Sequence, residues 1–401
     1  MKNLTIFFSV IFIHSVCSAQ NFTLVSSGDA VNDAATTYPC VMTDFNNDSL
    51  PDLFTGDFSA PDRFYLNVSH NFVFQNLSGA SQNTGASIAC TAGDYDNDGY
   101  TDLFVSTRTV NNRLYKNGPT GLTQVNIPPI TNFSSGNSYG ASWVDYDNDG
   151  NLDLFLCIDG GNQRMYHNNG GGTFSLLTTA SFYNDNSSYI SCSWSDYDND
   201  GDPDLFLANN SGHNALYRND GAGVFTKITN TPVTADSAVF DGGSWADIDN
   251  DGDQDIFCKM GGAYIGDKAN NLLFENPNED LNNWVTISVS GKTIKCGIGS
   301  RIKVNVITKA GDKRSIYVNV NSGGTFGASS LQQEIGLGQA KEIESVEVFW
   351  QHPGFPSTKY TGIALNSFVK LTEGSDKPEV QNRKKIKLST DMKGGHEHSM
   401  Q

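Results

Sequence analysis

The stretch Gly93–Phe104, GDYDNDGYTDLF, places aspartates at 94, 96, 98 and 102 and then runs straight into an apolar segment. Nearly the same string recurs as DFNNDSLPDLF from Asp44, DYDNDGNLDLF from Asp145, DYDNDGDPDLF from Asp196 and DIDNDGDQDIF from Asp247. The first aspartates lie 50, 51, 51 and 51 residues apart. A fixed period of about fifty residues marks an array of supersecondary units rather than one irregular core.

The rest of each unit repeats as well. Twenty-three residues after the first aspartate, a short apolar segment ends in asparagine, at Asn67, Asn117, Asn168 and Asn219. The fifth copy reaches its counterpart, Asn276, six residues late, which locates an insertion within GGAYIGDKANN. An aromatic strand such as GGTFSLL or AGVFTKI follows, and then an alternating approach, ASWVD or CSWSD, to the next acidic string. Four short strands per unit, parted by Gly, Asn and Asp turns, predict propeller blades. The fold class expected is all-β, a five-bladed β-propeller followed by a small C-terminal β domain.

Within each string, carboxylates occupy positions one, three, five and nine, and position six is glycine in four copies. That spacing converges oxygens on one point, with glycine allowing the bend between them. A hard, oxygen-seeking cation such as Ca²⁺ relieves the repulsion. An EF-hand is excluded, because position twelve is Val105, Leu156, Leu207 or Cys258 rather than glutamate. The expected ligands are Asp94, Asp96, Asp98 and Asp102 by side chain and Tyr100, at position seven, by its carbonyl. The same assignment covers Asp145, Asp147, Asp149, Asn151 and Asp153; Asp196, Asp198, Asp200, Asp202 and Asp204; and Asp247, Asp249, Asp251, Asp253 and Asp255. The first copy offers Asp44, Asn46, Asp48 and Asp52, and binds more weakly because Asn46 replaces an aspartate and Ser49 the glycine. About five Ca²⁺ ions are expected.

These strings resemble the FG-GAP or VCBS-type repeat, the calcium-bearing blade also found in the integrin alpha-chain head; the resemblance covers about residues 40–280. After Asn276 the period ends. NNWVTISVSG, CGIGSRIKV and IGLGQAKEIESVEVFW resemble the ASPIC/UnbV C-terminal domain over about 283–373. The order of parts is similar to that in cartilage acidic protein and its bacterial relatives. The implied division is a signal peptide at 1–19, a propeller at 20–282, the ASPIC/UnbV-like domain at 283–373 and a polar, disordered tail at 374–401.

The first nineteen residues, with Lys2, an apolar run from Leu4 to Ile13 and Ser18-Ala19, have the pattern of a secretory signal. No other run approaches the length of a membrane span. The expected location is secreted or extracellular, the cell surface or periplasm in a bacterium. A formal net charge of −18 argues against nucleic acid as partner. The partner expected is an extracellular protein or glycan. The function expected is a calcium-stabilised adhesion or ligand-binding module and not an enzyme: His70, His167, His213 and His352 are scattered, and no nucleophile motif appears. The alternative is a calcium-dependent polysaccharide lyase or hydrolase, or a lectin. Trp143, Trp194 and Trp245, each two residues before an acidic string, are read as core rather than as a sugar-stacking ring. The cysteines of the mature chain are read as mostly unpaired small hydrophobes. Residues Phe22–Ser26 are expected to close the ring by pairing with Leu272–Asn276, with Trp284–Ser288 as the rival strand.

Overall fold

The computed structural model describes residues 24–386 except 77–85, 110, 133–136, 236, 239, 261–269, 278–280, 293, 322–329, 353 and 355. The proposed signal peptide, His396, His398 and most of the fifth-repeat insertion lie outside the described residues. The chain is nearly all β. Sheet I comprises Thr37–Thr43, Asp52–Asp57, Arg63–Val68 and Asn71–Gln75. Sheet II comprises Ser87–Gly93, Asp102–Thr107, Arg113–Lys116 and Thr123–Val125. Sheet III comprises Asn137–Val144, Asp153–Asp159, Arg164–Asn168 and Phe174–Leu176. Sheet IV comprises Tyr189–Ser195, Asp204–Asn209, Ala215–Asn219 and Phe225–Ile228. Sheet V comprises Phe240–Ala246, Asp255–Met260 and Leu272–Phe274. Each is an antiparallel meander in chain order, and each acidic string is the loop between its first two strands.

The second strands explain why the sheets stack. DLFVST, DLFLCID and DLFLAN are apolar on both faces, and in sheets II–IV they are buried almost throughout, as a central strand covered on two sides must be. One face of each strand carries phenylalanine (Phe54, Phe104, Phe155, Phe206), the other leucine (Leu103, Leu154, Leu205). The phenylalanine side of one sheet packs on the leucine side of the next. Trp143 stacks on Tyr95 with ring centroids 6.0 Å apart, and Trp245 is buried and donates its Nε1–H to Ser193 Oγ at 3.1 Å. The tryptophans are core.

Polar bonds reinforce the stack. Asn168 donates through Nδ2 to Leu152 O of its own loop, at 3.0 Å, and to Tyr95 O of the preceding loop, at 2.8 Å. Asn117, Asn219 and Asn276 repeat this pair of bonds. Asn67, with no preceding repeat, reaches only Pro51 O.

The C-terminal residues form two further sheets. One orders Gln333–Gly338, Asn283–Ser290, Ser367–Thr372 and Glu379–Gln381, and the other Lys313–Asn319, Arg301–Thr308, Ala340–Phe349 and Ser357–Tyr360. Val285, Ile287, Ile302, Val304, Val346 and Trp350 are among their shared core.

Three expectations are corrected. Leu24–Ser26 form no strand, and Leu272–Phe274 pair with the second strand of sheet V alone; Phe22 lies outside the described residues. The N-terminal segment is held at the opposite end of the array, because its acids find donors there: Asp29 accepts from Phe74 N at 2.9 Å, and Asp33 meets Tyr65 Oη and Arg63. The rival strand is also elsewhere, since Val285–Ile287 pair with Gln333–Ile335 and Ser367–Val369. The stretch read as a disordered tail from 374 begins ordered: Glu379–Gln381 pair with Phe368–Lys370, and Lys385 meets Asp251 at 2.8 Å.

None of the six described cysteines is in a disulfide. Cys258 is in register, opposite Gly243, whereas Cys157 falls in a bulge after the Leu156–Ala141 pair and its thiol meets Cys192 of the next sheet.

Asn168→Ala is expected to leave two carbonyls without donors and to lower the unfolding free energy by about 2–6 kcal/mol, at roughly 1–3 for each buried unsatisfied group. Asn67→Ala, which breaks one such bond, should cost clearly less. Urea unfolding of both variants measures the difference.

Candidate metal centres

Each acidic loop is shaped by its own carboxylates. The position-one aspartate accepts from the backbone N–H groups of positions five and six: Asp94 from Asp98 at 3.1 Å and Gly99 at 2.8 Å, Asp145 from Asp149 at 3.1 Å and Gly150 at 2.9 Å. The turn needs two left-handed residues. Asparagine at position four (47, 97, 148, 199, 250) has φ between 55° and 62°, and glycine at position six has φ between 92° and 96°. In loop I, Ser49 takes that place at φ 79°, a strained conformation for a residue with a Cβ.

The position-nine aspartate is a structural joint. Asp153 accepts from Tyr146 N at 3.2 Å with one oxygen and from Asn168 N at 2.7 Å with the other, tying the loop to the end of the third strand. Asp52, Asp102, Asp204 and Asp255 do the same.

Carboxylates converge in loops II–V. Ligand atoms lie within 4.8 Å of one another in the groups Asp94, Asp96 and Asp102; Asp145, Asp147 and Asp149; Asp196, Asp198 and Asp204; and Asp247, Asp249 and Asp251. Asp98 and Asp200 stand outside their groups, as does Asp255. Asp98 turns instead to the Lys116 ammonium, 3.1 Å away, which also meets Asp96. Loop I gathers no such trio among the described residues. There Asn46 supplies an amide that donates to Asp48 Oδ2 at 3.0 Å where the other loops have a carboxylate.

Burial raises these acids. It pushes Asp94 up to about 7 and Asp145 up to about 8, the latter helped by Asp153 and Asp149. Asp102, Asp196 and Asp204 are held well above the carboxylate range, by burial first and then by neighbouring acids. Asp52, Asp153, Asp200 and Asp255 are raised to about 6, again chiefly by burial. The donor set fits a hard cation: Oδ1 of Asp96, Asp147 and Asp196 is buried and accepts no hydrogen bond, and Ca²⁺ takes about 6–8 oxygens of this kind.

Position seven contributes differently by atom. The side chains of Asn151, Asp202 and Asp253 turn to the preceding repeat and accept from Asn97, Asn148 and Asn199 at 3.0, 2.8 and 2.6 Å. The carbonyls of Tyr100, Asn151, Asp202 and Asp253 remain the candidate ligands there. This asparagine ladder was visible in the sequence only as an unexplained constant at position four. His167, one of the scattered histidines, lies with Nδ1 3.3 Å from Asp147 and 3.2 Å from Asp153. The adjacent Asp153 carboxylate, with the negative charge of the other loop acids, raises it to about 9.

The C-terminal domain sits on these loops. Gly336 N donates to Asp196 Oδ2 at 2.9 Å, Gly338 N to Asn199 O at 2.8 Å and Tyr317 N to Asn148 Oδ1 at 2.9 Å. Arg301 reaches Asn97 Oδ1 at 2.5 Å and Gly150 O at 2.6 Å, and Arg314 reaches Asp202 Oδ1 at 2.7 Å. Gln351 bonds Gly99 O and Thr101 Oγ1, and Ile386 N bonds Asp249 O. The approach is close enough that a Cβ on Gly252 would lie 1.9 Å from Trp284.

The FG-GAP-like repeat model matches residues 44–105, 94–156, 145–207 and 196–258, and the ASPIC and UnbV model matches 291–378. The chain belongs to the FG-GAP-like repeat family, with a C-terminal ASPIC/UnbV domain. No curated protein matches it. Among solved structures it is similar to the computationally designed Ika8 protein (TM-score 0.34, 7% identity, 56% of each chain). It is also similar to a lectin from Burkholderia pseudomallei (TM-score 0.40, 12% identity, 81% of this chain and 95% of that one) and to Sqt1 of Saccharomyces cerevisiae (TM-score 0.38, 11% identity, 56% and 61%). The chain thus spans little more than half the length of the designed protein. Superpositions this loose say nothing of ligand or activity. Among the described residues, no helix is long and apolar enough to cross a membrane.

Gly252→Ala is expected to displace Trp284 and lower the urea midpoint by the equivalent of about 1–3 kcal/mol, as overpacking does. Gly160→Ala, also at positive φ but with nothing within 4 Å of the added Cβ, isolates the backbone strain and should cost less.

Proposed function

We propose that the chain is a secreted, calcium-stabilised module that binds an extracellular protein or glycan, with the ions holding the repeat array and the C-terminal domain in one rigid frame. The observation that carries this reading is the position of the acidic loops. The carboxylate groups of loops II–V lie beneath the second domain, and three of their oxygens are buried without a donor. An ion there would neutralise charge that burial otherwise penalises. The candidate ligands in loops II–V are the side chains at positions one, three, five and nine and the carbonyl at position seven, with loop I the weakest site. The negative surface, formal charge −18, disfavours nucleic acid and leaves proteins and glycans as partners.

Calorimetry with and without chelator tests the metal half of the proposal. At a tenfold excess over Kd, each site adds ~1.4 kcal/mol, so four sites approach the ~5–15 kcal/mol of a typical fold. EDTA should lower the melting temperature markedly, and Asp149→Ala should lower it more than Asp48→Ala. A melt unmoved by EDTA overturns the metal reading. A glycan and extracellular-protein array, probed with calcium and then with chelator, tests the binding half; no captured ligand in either state overturns it.

A further inference from the structure

Sheets I–V stack as a series in which the inner strands touch I to II, II to III, III to IV and IV to V. Every internal junction is made by the same two faces. The phenylalanine face presents Phe54, Phe104, Phe155 or Phe206, paired across the strand with Phe64, Leu114, Met165 or Leu216, and all eight are buried. Sheet V presents the same face with Phe257 paired to Leu273, and here the residues are 42% and 55% exposed. At the other end, the leucine face of sheet I is covered at Tyr65, which pairs with Leu53 and meets Asp33 of the N-terminal segment, and is open at its inner strand. Met42, opposite Leu53, is 48% exposed and Cys40 is exposed, whereas their counterparts Trp143 and Trp245, and Cys90, Ala141 and Cys192, are buried.

We propose that a second copy of this chain covers the seam, its sheet I laid on sheet V of the first copy. What fits a phenylalanine face is shown four times within the molecule: the leucine face of another repeat. Among the five described sheets, the leucine face with an exposed inner strand is that of sheet I, at Cys40 and Met42. Cys90 packs in one cluster with Phe54 and Phe64, so Cys40 of the incoming copy would meet Phe257 and Leu273. The junction is heterologous, head to tail, and association continues past the dimer unless the rotation closes a ring.

Sedimentation of the full chain in calcium, across a concentration series, tests this. The weight-average mass is expected to rise to about twice the monomer mass or beyond. Phe257→Asp blocks one end and Met42→Asp the other; both positions are exposed, and circular dichroism checks that each variant folds. Each variant alone should be monomeric, and an equal mixture should form a 1:1 dimer through the two faces left intact. A wild-type chain that stays monomeric at every concentration overturns the proposal, and so does a Met42→Asp variant that associates as wild type, because the contact would then not use sheet I.

Discussion

A buried aspartate with both oxygens committed to backbone N–H groups is the joint on which the repeat depends. Asp153 fixes the exit of the first strand through Tyr146 N and the end of the third through Asn168 N. Asn168, so placed, turns its amide to the carbonyls of its own loop and of the loop before it. One carboxylate therefore sets the loop, the strand and the spacing to the next repeat. Because each link joins only neighbouring units, the array is quasi-one-dimensional, and its rigidity accumulates junction by junction.

The same loops carry the electrostatic cost of the molecule. Like charges are drawn into low-dielectric surroundings, and burial raises them one after another, Asp94 to about 7 and Asp145 to about 8. The C-terminal domain adds to that burial while compensating only part of the charge. Arg314 pairs with Asp202 and Lys385 with Asp251, yet Gly336, Gly338 and Tyr317 bring only backbone N–H groups. Neutral donors orient a carboxylate without cancelling it. A domain that seals the loops largely with backbone amides leaves much of their net charge uncancelled.

Much of this was legible in the sequence, for a local reason. Carboxylates at positions one, three, five and nine are brought together by one turn, and the glycine at position six reports its positive φ directly. Partners fifty residues or more apart were not legible. The position-four asparagine recurs in every string, but nothing local marks its side chain as a donor to the next repeat. His167 stands where the other repeats have Leu66, Lys116 and Arg218, so nothing in the sequence marks it, yet its ring reaches Asp147 and Asp153. Residues 21–27 have the alternation of an outer strand, but alternation does not name a partner. Asp29 and Asp33 decide it by taking donors on sheet I. The bulge after Leu156, which takes Cys157 out of the regular pairing, carries no sequence mark.

The two ends of the array remain apolar, and the pattern of substitution within the chain gives that weight. Where a repeat position is only partly covered, the copies diverge freely: the place held by Leu66 is Lys116, His167 and Arg218 in the next three repeats and Glu275 in the fifth. At the phenylalanine face they do not diverge; Phe54, Phe104, Phe155, Phe206 and Phe257 are identical, although only the first four are buried. Terminal units of stacked-repeat proteins ordinarily carry a polar outer face, since an open apolar one invites association. Sheet V keeps the interior residue and adds Leu273 beside it, while sheet I sets Met42 beside Leu53. An end that had been selected to face water would have lost its phenylalanine as readily as the Leu66 position lost its leucine.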